Sequence, residues 1–150
     1  MERRIRRLSL PEEMSVESWS ELSKVIWKVS LEWFDEIHCK TDEEVKAACT
    51  VLGLMKKWEI WNLHLPTNMG AEGWTALTKE VARGGEVGTV YVSKSALRAA
   101  SEQQVCDLWR GTSSSSWWWE DRSSRIIAEK RHGEAGLGKL LAFKNSISDM

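Results

Sequence analysis

The string GEAGLGKL, from Gly133 to Leu140, has the order G-x-x-x-x-G-K of a phosphate-binding loop, with Leu140 where Ser or Thr would hold magnesium. Ten residues follow Leu140, too few for the further strands and the acidic metal partner that such a domain needs. Upstream, Arg125–Ala128 reads as a poor buried strand. Nucleotide hydrolysis is therefore not expected, and the string reads as a chance match or a remnant. His38, His64 and His132 are too scattered in sequence for a metal set, and neither H-x-x-x-H nor C-x-x-C occurs. No G-x-S-x-G is present, and no Cys–His or carboxylate pair is placed by spacing, so no catalytic residue, metal or cofactor is expected. Arg6-Arg7-Leu8-Ser9 has the form of a basophilic kinase site. Ser9 is expected on a strand between two core leucines, reachable only if that strand frays.

Other positions speak of recognition. Ten tryptophans in 150 residues, against two Phe and one Tyr, point either to a platform on which bases or sugars stack or to a core that uses Trp as its large residue. Twenty-one Lys and Arg balance 22 Asp and Glu, which argues against a nucleic-acid partner held by bulk charge. The length fits one domain with a real core. Cys39, Cys49 and Cys106 are an odd set without disulfide spacing. With no apolar signal segment in MERRIRRLSLPEEM, a cytoplasmic setting is expected. No window approaches 18 uncharged apolar residues, so no membrane span is expected.

An internal repeat supplies the elements. Residues 8–26, LSLPEEMSVESWSELSKVI, align without a gap on residues 63–81, LHLPTNMGAEGWTALTKEV, with eight identities in 19 positions, Trp19 on Trp74 among them. An apolar pair recurs at about half that offset: Leu8 and Leu10, Asp35 and Ile37, Leu63 and Leu65, Val90 and Val92, Trp117 and Trp119. Asp35 is the irregular member, with Phe34 as its apolar substitute. Helical spacing follows each of the first four pairs: Trp19, Leu22, Val25 and Ile26; Val45, Ala48, Cys49 and Leu52; Trp74, Leu77 and Val81; Val105, Leu108 and Trp109. Each unit reads as strand, turn and helix. Such units bury their apolar faces only by stacking. The expected fold is α/β: a short solenoid of about four to five units, with a parallel strand ladder and helices on the outer face.

Residues 58–85, WEIWNLHLPTNMGAEGWTALTKEVARGG, resemble a leucine-rich repeat of the ribonuclease-inhibitor type, also found in NOD-like receptor C-terminal regions. Ile60-x-x-Leu63-x-Leu65-x-x-Asn68 fits the strand motif, and the run from Met69 to Gly73 is similar to the L-G-x-x-G that follows it. The resemblance extends over residues 5–110, weakening in the other units, where Glu13, Lys40 and Ser95 stand at the asparagine position. It implies protein binding or regulatory sensing rather than catalysis, and an asparagine ladder to which only Asn68 can contribute. NOD-like receptors also carry a nucleotide-binding domain, so the Gly133 string is also consistent with an inert receptor fragment.

The solenoid is expected over residues 1–119, with the RRIRR segment shielding one end. Residues 120–150 form a basic segment whose part 134–147 can fold as a helix over the last repeat. Most tryptophans, Trp19, Trp74 and Trp109 first, read as packing. Trp117–Trp119 either make a fifth strand or, with the basic tail, a patch for nucleic acid or carbohydrate. The strand positions beside the apolar pairs make a concave face: Arg7 and Ser9, Glu36 and His38, Asn62 and His64, Thr89, Tyr91 and Ser93, and Trp118. Arg7, His38, Asn62, His64, Thr89, Tyr91 and Trp118 are the candidate protein-binding residues, with Tyr91, Trp118 and Arg7 of the types that dominate interfaces.

Overall fold

Short polar residues start the helices at a constant distance from the core. Ser15, Thr41, Ser93 and Ser101 each accept a hydrogen bond from the backbone N–H three residues on, and Gly70 occupies the same cap position without a side-chain bond. Such caps satisfy amides that a helix leaves unbonded at its first turn. Four residues after each cap stands a buried apolar residue: Trp19, Val45, Trp74, Leu97 and Val105. The computed structural model of the chain describes residues 3–111, 118–120, 126–129 and 133–148.

The strands are β1 (Arg3–Leu8), β2 (Val29–His38), β3 (Glu59–His64), β4 (Glu86–Tyr91), β5 (Trp118–Glu120) and β6 (Ile126–Glu129). The helices are α1 (Val16–Ser23), α2 (Asp42–Leu52), α3 (Ala71–Ala82), α4 (Lys94–Ala99), α5 (Glu102–Arg110) and α6 (Gly133–Ser148), with a 3-10 turn at Ile26–Lys28. The fold is α/β. Its sheet is open and runs in chain order from β1 to β6. The strands from β1 to β5 pair in parallel, and β6 is antiparallel to β5. α1 packs on α2, α2 on α3 and α3 on α5, so the helices form a row beside the ladder.

Contacts run from each segment to the next. Ser9 bonds Asp35, Lys40 bonds Glu13, Asn62 bonds Asp35, Ser93 bonds Thr67 and Gln104 bonds Thr75, at sequence separations between 26 and 29. The strand register has the same period, since Leu8 pairs with Phe34, Phe34 with Ile60 and Ile60 with Val87. Ile37, Cys39, Ile60, Leu63 and Leu65 of β2 and β3 and the residues just after them line one small apolar gap with Val45, Ala48, Cys49, Leu52 and Leu77 of the helices. That gap marks the inner side of the sheet.

This register corrects the expected alignment. The first strand was expected at Leu8 and Leu10, but β1 ends at Leu8, and Leu8 lies level with Ile60 rather than Leu63. The helices do keep the 55-residue offset, because Trp19 and Trp74 hold the same place after their caps. The segment from Ile60 to Trp74 is therefore three residues longer than that from Leu8 to Trp19. In the second unit the buried pair is Ile37 and Cys39, not Asp35 and Ile37. Asp35 instead bonds Ser9 and Arg7. The cross-turn bond expected of Asn68 is made by Asp42, whose carboxylate accepts the N–H groups of Gly70 and Gly73. Asn68 is exposed. Two helices, α4 and α5, replace the one expected in the fourth unit.

At the far end, Val90 pairs with Trp119, not with Trp117, which lies outside the described residues. Part of Arg125–Ala128, expected to make a poor buried strand, belongs to β6, and Ala128 is buried. α6 packs against β6, α4 and α5. Leu137 and Leu140 are buried there, the Arg98 side chain bonds the carbonyl of Ile147, and Lys144 reaches the carbonyl of Arg98. The string from Gly133 to Leu140 lies inside α6, so its backbone is spent on the helix rather than shaped as a phosphate cradle.

Candidate functional site

Residues alternate across a strand, so the neighbours of the buried Ile37, Leu63 and Val90 lie on the sheet face away from the helices. Parallel pairing then sets them in two columns. Glu36 pairs with Asn62, and Asn62 with Thr89; His38 pairs with His64, and His64 with Tyr91. The second column is a continuous stack of rings. The His38 and His64 centroids are 3.9 Å apart with planes 11° from parallel, and His64 and Tyr91 are 4.2 Å apart with planes 1° from parallel. Histidines expected to be too scattered for a common site are thus in contact. They sit 26 residues apart on neighbouring strands, a spacing that local motif patterns do not sample.

Polar contacts tie the columns together. The Tyr91 hydroxyl donates to Asn62 Oδ1 at 3.4 Å, and Asn62 Nδ2 donates to the Asp35 carbonyl at 3.3 Å. The Glu36 carboxylate stands 3.4 Å from His64 Nε2 and 3.7 Å from His38 Nε2. Both histidines are partly exposed, at 19% and 23% of the side chain. Thr89, expected on the accessible surface, is buried.

Arg7 lies further toward the start of the ladder, opposite Trp33. It pairs with Asp35 at 3.1 Å, and Asp35 in turn accepts from Asn62, so Arg7 joins the columns only through that aspartate. Ser9, expected on a strand, follows the end of β1 and is exposed. Trp118 belongs to β5, one residue before the partner of Val90. Its side chain, Trp117 and the basic residues Arg122, Arg125, Lys130 and Arg131 lie outside what the structure describes.

A second stack was missed at the sequence level. Trp33 and Trp61 lie 4.9 Å apart with planes 7° from parallel, both half-buried, and Trp61 Nε1 donates to Glu59. Their spacing of 28 residues, close to the offset between neighbouring strands, was the available signal. Trp19, Trp58, Trp74 and Trp109 are buried, as packing requires, while Trp27 is 62% exposed.

The buried thiols of Cys39 and Cys49 are poor nucleophiles. Burial pushes Cys39 far above the usual range and Cys49 up to about 12, with Cys49 and Glu44 adding to the effect on Cys39 and Glu80 to that on Cys49. All three cysteines are free. Among the described residues, no helix is long and apolar enough to cross a membrane. No protein-family model, no characterised protein and no solved structure matches the chain.

Proposed function

We propose that the chain is a short solenoid of the leucine-rich-repeat kind and serves as a non-catalytic protein-interaction or regulatory module. The observation that carries this reading is the ring column His38–His64–Tyr91 on the open face of a sheet whose other face is filled by helices. The buried positions support the repeat assignment. Phe34, Ile37 and Cys39, then Ile60, Leu63 and Leu65, then Val87, Val90 and Val92 share a three-then-two spacing. Nearest-neighbour bonds at separations of 26 to 29 residues fit the contact pattern of stacked units. Free cysteines fit a reducing, cytoplasmic compartment.

The face has the make-up of a contact surface. Tyr and Trp offer large, rigid area with few torsions to freeze, and the half-buried stacks present it already ordered. Arg7, His38, Asn62, His64 and Tyr91 surround that area with donors and acceptors. The test is affinity capture from a cell extract with the unmodified chain, Tyr91→Ala, His64→Ala and the helix-face variant Lys79→Glu. A partner retained by Lys79→Glu and lost by the two face variants, with unchanged circular dichroism, supports the reading. A partner lost only by Lys79→Glu overturns it.

A further inference from the structure

Three side chains of the open face converge on one point. Glu36 and His38 alternate along β2, and His64 stands beside His38 on the next strand. One donor atom from each lies within 4.8 Å of the other two. One Glu36 oxygen, Oε1, stands 3.4 Å from His64 Nε2, and the other, Oε2, stands 3.7 Å from His38 Nε2. Ligand atoms at zinc bond lengths of about 2.0–2.1 Å stand roughly 3.3–3.4 Å apart around a tetrahedral ion. The Glu36–His64 gap is close to that edge, and the three donors lie close enough together for side-chain rotation to bring them onto one ion.

We infer that Glu36, His38 and His64 bind a divalent transition-metal ion of the zinc type, through the carboxylate and the two imidazoles. Two imidazoles and a carboxylate suit zinc better than calcium or magnesium, which take oxygen donors, or copper(I), which takes sulfur. The buried thiols of Cys39 and Cys49 lie on the helix side of the sheet, among the residues around the apolar gap, and do not compete. Three protein ligands leave a fourth position to water. Face-to-face rings cannot both aim a lone pair at one ion. Loading therefore turns the imidazoles about their Cβ–Cγ bonds and loosens the contact of His64 with Tyr91.

The site stands on the chain alone and does not depend on the interaction reading. Its test is calorimetric titration of the full chain with zinc chloride at neutral pH, followed by aromatic NMR. Saturation at one ion per chain is expected, with a shift of the ring signals of Tyr91, the single tyrosine in the sequence. His38→Ala and His64→Ala should each weaken binding by at least about tenfold, the low end of what even an outer-shell partner costs. Glu36→Gln should weaken it less, because an oxygen donor remains. His64→Gln replaces His64→Ala if the alanine variant loses its circular dichroism. His132→Ala and Cys106→Ser should bind like the unmodified chain. No saturable binding, binding that survives both His38 and His64 substitutions, or binding lost in Cys106→Ser or His132→Ala overturns the site.

Discussion

Asp42, in the first turn of α2, accepts the N–H of Gly70 with both carboxylate oxygens, at 3.0 and 3.1 Å, and the N–H of Gly73 at 3.1 Å. One helix thereby caps the next. Gly70 is the cap residue of α3 and has no side chain to do this itself. A carboxylate is also the favoured charge at a helix N-terminus. Asp42→Ala should lower stability by about 1–2 kcal/mol, the usual cost of a lost cap. Asp42→Asn, which keeps one acceptor oxygen, should lose less. Urea unfolding of the three chains checks the order; equal midpoints would rule out the inter-helix cap.

Gly85 lies against a buried ring. A Cβ built there would stand 2.0 Å from Cζ2 of Trp58. Gly85→Ala must displace that ring and should destabilise by about 1–3 kcal/mol, as overpacking does. Gly138, in the middle of α6, meets nothing within 4 Å. Gly138→Ala should stabilise by about 0.4–1 kcal/mol, mainly by restricting the unfolded chain. Thermal melts of the pair should move in opposite directions.

The two buried cysteines set an alkaline limit. A thiol whose folded value is raised holds its proton longer in the folded state, so its contribution is complete below the ordinary value near 9. For Cys49 that contribution falls as pH climbs from there toward about 12. Stability measured by denaturant midpoint should decline over that window, and less steeply in Cys49→Ala. A midpoint that is flat over the window would contradict the burial. At neutral pH a thiol-reactive dye should label Cys106 first, with Cys39 and Cys49 reacting only on unfolding.

α6 covers the last units. It buries Leu137, Leu140 and Ile147 against β6, α4 and α5. Deleting residues 133–150 should uncover the apolar surface that α6 covers, and cause aggregation. Light scattering checks this, and a soluble truncation of unchanged stability would refute it.

The helices were legible because the same residue recurs at the same distance from a cap, as Trp19 and Trp74 do. The strand register was not. Leu8 and Leu63 are identical in an ungapped alignment, yet Leu8 pairs with Phe34, which pairs with Ile60. Three extra residues between Ile60 and Trp74 let helices and strands follow different offsets. Cys39 hid the second unit, because a cysteine does not announce a core position as a leucine does. Its neighbour Lys40 then took the place of Asp42 in the expected ladder. The face was read from residue alternation, which put His38, His64 and Tyr91 on the same side of the ladder but not in one row. Their ring stacking and the convergence on Glu36 depend on which strand neighbours which, and that comes only with the register.

That register is what the proposed binding face and the proposed metal site share. Nuclear Overhauser contacts between the rings of His38 and His64, and between those of His64 and Tyr91, measure it directly. Both contacts should be strong in the metal-free chain. Their absence, or a contact placing His38 beside Tyr91 with His64 elsewhere, would contradict the in-register ladder.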